Sequence, residues 1–195
     1  MKFTLIELLE IIVIITTLLY NYFLIKQQII CWLFGFLSSV TGLVIFHEKQ
    51  LIGQVILHVF YALMAIYGWY IWGKNKQELK VKKWTISMQA YILSFGFIIS
   101  FVLSNFVLNH FIENINVLDI LITVFCFIAT FKETHKIVTA WIYWIVLNAA
   151  SFVLYLQSDL FIYALLMLIY TALSIKGYLT WNKELKTNDF QSDDY

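Results

Sequence analysis

The sequence has no proline, only seven glycines and two cysteines, and just 13% of its 195 residues are charged. With so little proline and glycine, collagen-like and low-complexity chains are excluded. Cys31 and Cys126 lie far apart inside apolar stretches, which is neither a disulfide framework nor a metal set. A net charge of +1 provides no basic field for a phosphate backbone, so no nucleic-acid partner is expected. What the chain has instead is apolar side chain: 62% of residues are hydrophobic and the mean hydropathy is +0.81. Soluble domains are about half apolar and roughly a quarter charged. One this small could not hide so much apolar surface from water. A soluble enzyme and a disordered chain are excluded with it. The composition specifies an all-α polytopic membrane protein.

A spanning helix needs roughly 20 mostly apolar residues. Seven runs qualify, at about 4–24, 30–46, 51–73, 85–109, 116–131, 137–156 and 159–181. They are continuously apolar rather than alternating, which favours helices over barrel strands. The first run carries Glu7 and Glu10 and is followed by no small-x-small site, so it reads as a membrane helix rather than a leader. The polar segment after Trp181 reads as a short frayed tail.

All thirteen basic residues are lysines. Seven spans with an external N-terminus put ten of them on the cytoplasmic side: Lys26, Lys74, Lys76, Lys80, Lys82, Lys83, Lys132, Lys136, Lys183 and Lys186. Lys2 and Lys49 fall outside, and Lys176 sits within the last helix, where it reads as a snorkelling side chain. This imbalance predicts N-terminus out and C-terminus in.

Shifted by 109 residues, 32–74 aligns with 141–183 without a gap and with nine identities in 43 positions. Trp32 meets Trp141, Tyr61 meets Tyr170, Gly68 meets Gly177 and Trp72 meets Trp181. The same offset sets Glu10 on Asp119. It spans four helices, an even number, so the halves point the same way across the membrane. The expected organisation is a 3+1+3 parallel repeat: a first three-helix repeat over 1–83, a linker helix over 84–112, a second repeat over 113–183 and a cytoplasmic tail over 184–195. This arrangement is similar to the SWEET sugar transporters, in which the substrate site lies between the repeats.

Trp141, Trp144, Asn148, Ser151 and Tyr155 share one face of the sixth helix. Gln54, His58, Tyr61, Ala65, Gly68 and Trp72 form a stripe on the third, and Tyr163, Met167, Tyr170, Ser174 and Gly177 its counterpart on the seventh. Under the repeat Ser39 answers to Asn148. Substrate-binding candidates are therefore Trp141, Trp144, Asn148, Tyr170, Tyr163, Tyr61, His58, Gln54 and Ser39. Rings, one amide and a few hydroxyls without a fixed charge suit a flat polar heteroaromatic, neutral or singly cationic. Each residue also has a plainer reading. Trp32, Trp72 and Trp181 sit near helix ends, where an interfacial belt is expected. Asn148 can bond another helix, the tyrosines and His58 can be packed core groups, and the glycines can permit close helix approach.

The stretch 32–72, ending YGWYIW, and the stretch 141–181, with its W-x-x-W-x-x-x-N core and GY-x-x-W ending, resemble the two signatures of the PnuC family of bacterial vitamin transporters. The resemblance covers essentially the whole chain. It implies facilitated diffusion of nicotinamide riboside across the bacterial inner membrane, trapping by a separate cytoplasmic kinase, and a homotrimer. It also implies that Trp141, Trp144 and Asn148 contact the nicotinamide end, with Tyr170 and Tyr163 completing the lining. Gln54, His58 and Thr139 depart from residues that nicotinamide-riboside members often carry there, and thiamine or another vitamin remains an alternative cargo. A membrane scaffold without transport is a second alternative. No cofactor or metal is expected. No enzyme is expected either: Ser38 and Ser39 lack a nucleophile context, and His47, His58, His110 and His135 do not cluster.

Overall fold

A computed structural model describes residues 5–48, 52–74, 79–110, 117–157 and 161–192. Seven helices follow in order: α1 (Leu5–Ile25), α2 (Cys31–Glu48), α3 (Ile52–Lys74), α4 (Ile86–His110), α5 (Val117–Thr134), α6 (Ala140–Gln157) and α7 (Phe161–Ser192). The apolar runs have no water to hydrogen-bond their backbones in lipid, and helices satisfy every group internally. Among the described residues the only bridge outside helices pairs Lys82 with Ile137 in parallel.

Six helices, all but α5, are long and apolar enough to cross a membrane. The seventh expected span falls short on composition. The 18 residues of α5 include Asp119, Lys132 and Glu133, and the last two are buried in the protein rather than offered to lipid. Elsewhere the outward faces are greasy: Ile86, Tyr91, Phe101 and Leu165 all stand largely exposed. Such surface is stable only against hydrocarbon or another protein.

The chain forms two compact units, Met1–Lys80 and Val81–Tyr195. In the first, α2 packs against both α1 and α3. In the second, α6 packs against α5 and α7, and α4 packs against α5. Helix α4 thus belongs with the second unit. Gly96 lets α4 close on α5: a Cβ there would meet Phe125 at 2.8 Å.

Helix ends recur at the sequence offset. Ile25 and Thr134, Cys31 and Ala140, Glu48 and Gln157, and Ile52 and Phe161 each end or begin corresponding helices 109 residues apart. The corners before α2 and α6 share their turn-closing bonds. Among the described residues, Gln27 and Lys136 are the two non-glycine residues with positive φ, at 55° and 52°. Gln28 N–H donates to the Phe23 carbonyl and Ile137 N–H to that of Lys132, both at 2.9 Å. Gln27 likewise donates to Leu24 and Lys136 to Glu133, again at 2.9 Å. This is the paired-bond helix terminus usually built on glycine. A side-chain-bearing residue there costs about 1 kcal/mol.

The polar segment after Trp181 does not fray as expected. Helix α7 runs on to Ser192. No glycine or proline follows Gly177, and Lys183, Glu184, Leu185 and Lys186 are strong helix formers.

Candidate functional site

In the second unit, Gly177 leaves room for the indole of Trp141; an added Cβ would stand 2.5 Å from it. Trp141 then meets Trp181 edge to face, with centroids 5.3 Å apart and planes at 88°. The first unit repeats the motif. Trp32 lies over Gly68 and meets Trp72 at 5.4 Å and 86°. The four tryptophans are buried, between 0% and 4% exposed. The interfacial-belt expectation for Trp32, Trp72 and Trp181 is therefore corrected: their ring surface goes to helix packing, in the T-shaped geometry that aromatic quadrupoles favour.

One turn or two deeper, the units diverge. Asn148 is buried on α6, and its Nδ2 donates to Ser174 Oγ of α7 at 3.3 Å. Ser174 itself donates to the Tyr170 carbonyl at 2.8 Å. The side chains of Asn148 and Ser174 are thus brought together, while Tyr170 contributes only its main-chain carbonyl. The indole N–H groups of Trp141 and Trp144 and the hydroxyl of Tyr143 are buried with no hydrogen-bond partner; of these only Trp141 has a counterpart in the first unit, the equally unpartnered indole N–H of Trp32. Unspent donors beside a held amide are expensive in an apolar interior unless a ligand or water takes them. Tyr163 stacks at a tilt near Tyr155, 5.7 Å between centroids.

In the first unit the equivalent positions are Ser39 and Ala65. Ser39 turns its hydroxyl back to the Gly35 carbonyl at 2.7 Å, leaving no amide to present. The polar contacts lie elsewhere: Thr17 and Ser38 share a 2.6 Å hydroxyl bond between α1 and α2. His58 is anchored by its Nδ1 to the Gln54 carbonyl at 2.9 Å. Its ring fills the space above Gly42 and lies 4.8 Å from Phe46 and 5.7 Å from Tyr61. The rings of His58 and Tyr61 thereby meet, while Gln54 contributes only its main-chain carbonyl. An open groove of about 270 Å³ on the same unit is lined by Trp32, Leu33, Phe36, Ala65, Ile66 and Trp69. It holds none of the predicted polar groups, so it lacks the orienting contacts a specific ligand needs.

Bulk is also exchanged between the units. Tyr20 fills the space beside Gly35, where a Cβ would meet its ring at 2.9 Å. The matching pair is Ala129, fully buried, and Trp144. The large ring stands on α1 in the first unit and on α6, the counterpart of α2, in the second.

Sequence reasoning missed a second polar cluster. Lys132, counted only as a cytoplasmic charge, is wholly buried at the end of α5. Its ammonium donates to Gln89 Oε1 at 2.7 Å and sits 3.7 Å above the Tyr143 ring and 5.4 Å from that of Trp84. The signal was available in the offset, which sets Lys132 on Phe23 and Tyr143 on Phe34. No group of three or more potential metal ligands occurs among the described residues.

The family model described as nicotinamide mononucleotide transporter matches residues 7–183. The chain is 23% identical over 186 residues to the nicotinamide riboside transporters PnuC of Escherichia coli (strain K12) and of Shigella flexneri, covering 80% of this chain and 77% of each relative. Its fold is that of a solved structure described as the crystal structure of the vitamin B3 transporter PnuC. There the TM-score is 0.79 at 22% identity, over 93% of this chain and 83% of the other.

Proposed function

The chain belongs to the nicotinamide mononucleotide transporter family, and from that premise we propose that it carries nicotinamide riboside across the bacterial inner membrane by facilitated diffusion. A separate cytoplasmic kinase would trap the cargo. The observation that carries the reading is Asn148 held by Ser174 on the face that also bears the unpartnered indole N–H of Trp144. A buried amide can orient a carboxamide by donating and accepting at once. Rings of Trp144, Tyr170 and Tyr163 offer faces to a pyridinium, worth about 0.5–2 kcal/mol as cation–π contacts. Trp141, locked over Gly177, backs this face and offers its indole N–H. Within the first unit, His58, Gln54, Tyr61 and Ser39 remain substrate-contact candidates on the sequence repeat alone.

The riboside is favoured over the mononucleotide because the chain has no arginine to fork onto a phosphate. The uniport reading is supported by the placement of Glu7, Glu10 and Asp119 in the first or second turns of their helices and of buried Glu133 in the last turn of α5, none of them mid-span. The recurring helix ends and corners support a SWEET-like 3+1+3 repeat. The lysine distribution supports an external N-terminus and a cytoplasmic C-terminus. A homotrimer accords with the family resemblance.

The test is a competition panel in proteoliposomes lacking any kinase. Labelled nicotinamide riboside should enter, and uptake should survive an uncoupler. Unlabelled riboside should compete, and the mononucleotide should not. Competition by thiamine alone would reassign the cargo, and the absence of any uptake or binding would favour a scaffold.

A further inference from the structure

A stack of rings and a stack of ring and ammonium occupy the same place in the two units. In the first, Phe23 of α1 and Phe34 of α2 lie parallel, 5.4 Å apart with planes at 7°. At the 109-residue offset stand Lys132 of α5 and Tyr143 of α6, with Nζ 3.7 Å above the ring. The fold therefore has an apolar solution for this contact and uses it once. Burying an ammonium is the more expensive choice. No carboxylate offsets it among the described residues: Lys132 is held by Gln89 Oε1 and the faces of Tyr143 and Trp84.

What the lysine adds is a connection the first unit lacks. Gln89, in the first turns of α4, accepts from Lys132 and donates through Nε2 to Thr139 Oγ1 at 2.8 Å. Thr139 immediately precedes α6. Alongside it, Lys82 exchanges two backbone bonds with the same corner, donating to the Lys136 carbonyl at 3.1 Å and accepting from Val138 at 3.0 Å. The end of α5, the start of α4 and the start of α6 are thus tied at one point. The first turns of α6 carry Trp141 and Trp144.

We propose that Lys132 is a positioning residue for substrate binding: through Gln89 and Thr139 it fixes the rotation and height of the α6 turn that carries Trp141 and Trp144. The claim rests on α6 presenting the substrate site. An amide oxygen bound to a fixed ammonium cannot rotate, so the amide nitrogen stays aimed at Thr139. Without the ammonium, Gln89 is free to turn and α6 loses one of its two anchors, the other being the backbone bonds of Lys82.

The full-length protein in proteoliposomes tests this with four variants. Lys132→Met removes the ammonium and keeps the stem. Lys132→Arg keeps charge, ring contact and donor. Gln89→Leu removes the acceptor without touching α5. The double variant Lys132→Phe with Tyr143→Phe rebuilds the ring pair of the first unit. Loss of one hydrogen bond to a charged group should raise KM for nicotinamide riboside about 10-fold in Lys132→Met and Gln89→Leu, with Vmax changed by less than about 2-fold. Lys132→Arg should restore most of the affinity. The double variant should keep the wild-type Tm and still show the KM defect. Amide hydrogen exchange over 139–145, read on protein without substrate, should quicken in every variant except Lys132→Arg. A double variant with wild-type Tm, KM and exchange would overturn the proposal. Wild-type protein that transports no riboside would instead sink the cargo assignment, while the exchange measurement still decides whether Lys132 positions α6.

Discussion

Trp141 occupies the space that a side chain at Gly177 would need, for a Cβ there would stand 2.5 Å from the indole. Trp32 stands over Gly68 in the same way, at 2.3 Å. Gly177→Ala and Gly68→Ala should each destabilise by about 1–3 kcal/mol, the usual penalty of overpacking a rigid core. Gly53→Ala is the control. Nothing lies within 4 Å of its Cβ position, so helix propensity should leave it neutral or slightly stabilising. Thermal unfolding in detergent checks all three; equal Tm values would refute the packing account.

Gly42 and His58 make a reciprocal pair. A Cβ on Gly42 would stand 2.3 Å from the imidazole. Gly42→Ala should lower stability by about 1–3 kcal/mol, and His58→Ala should remove most of that penalty when the two are combined. A double-mutant cycle on Tm reads the coupling, and additive effects would mean that the imidazole yields freely.

Asn148→Ala should weaken riboside binding about 10-fold, since one oriented hydrogen bond is lost. Ser174→Ala should weaken it less, because Asn148 keeps its own donor and acceptor atoms. Quenching of tryptophan emission by the riboside measures both. An unchanged affinity in Asn148→Ala, with Tm reduced, would make the amide a helix tie only.

The exchange of bulk between Tyr20–Gly35 and Ala129–Trp144 can be reversed. Trp144→Gly alone should open a cavity and cost about 3–5 kcal/mol. Adding Ala129→Tyr should recover part of that stability by copying the first unit. Riboside binding should stay lost in both, since the ring has moved to another helix. Recovery of binding with stability would show that Trp144 serves packing alone.

Much of this was written in the residues. The apolar runs located all seven helices, because a membrane leaves the backbone one way to bond. The offset of Trp32, Gly68 and Trp72 against Trp141, Gly177 and Trp181 anticipated two matching aromatic motifs. It did not reveal that the tryptophans turn inward, since a ring near a helix end suits lipid headgroups and a glycine notch equally. Lys132 was hidden for a related reason. A lysine at a helix end usually reaches for water, and here Gln89 of α4, Trp84 just before it and Tyr143 of α6 turn it inward. The extension of α7 to Ser192 was missed because polarity was read as disorder, although the segment is rich in helix formers.

Gln27 and Lys136 hold a left-handed backbone without being glycine, each inside the same set of local bonds. Backbone strain kept in both copies of one corner marks that shape as something each half of the polypeptide requires, whichever side chain has to bear it.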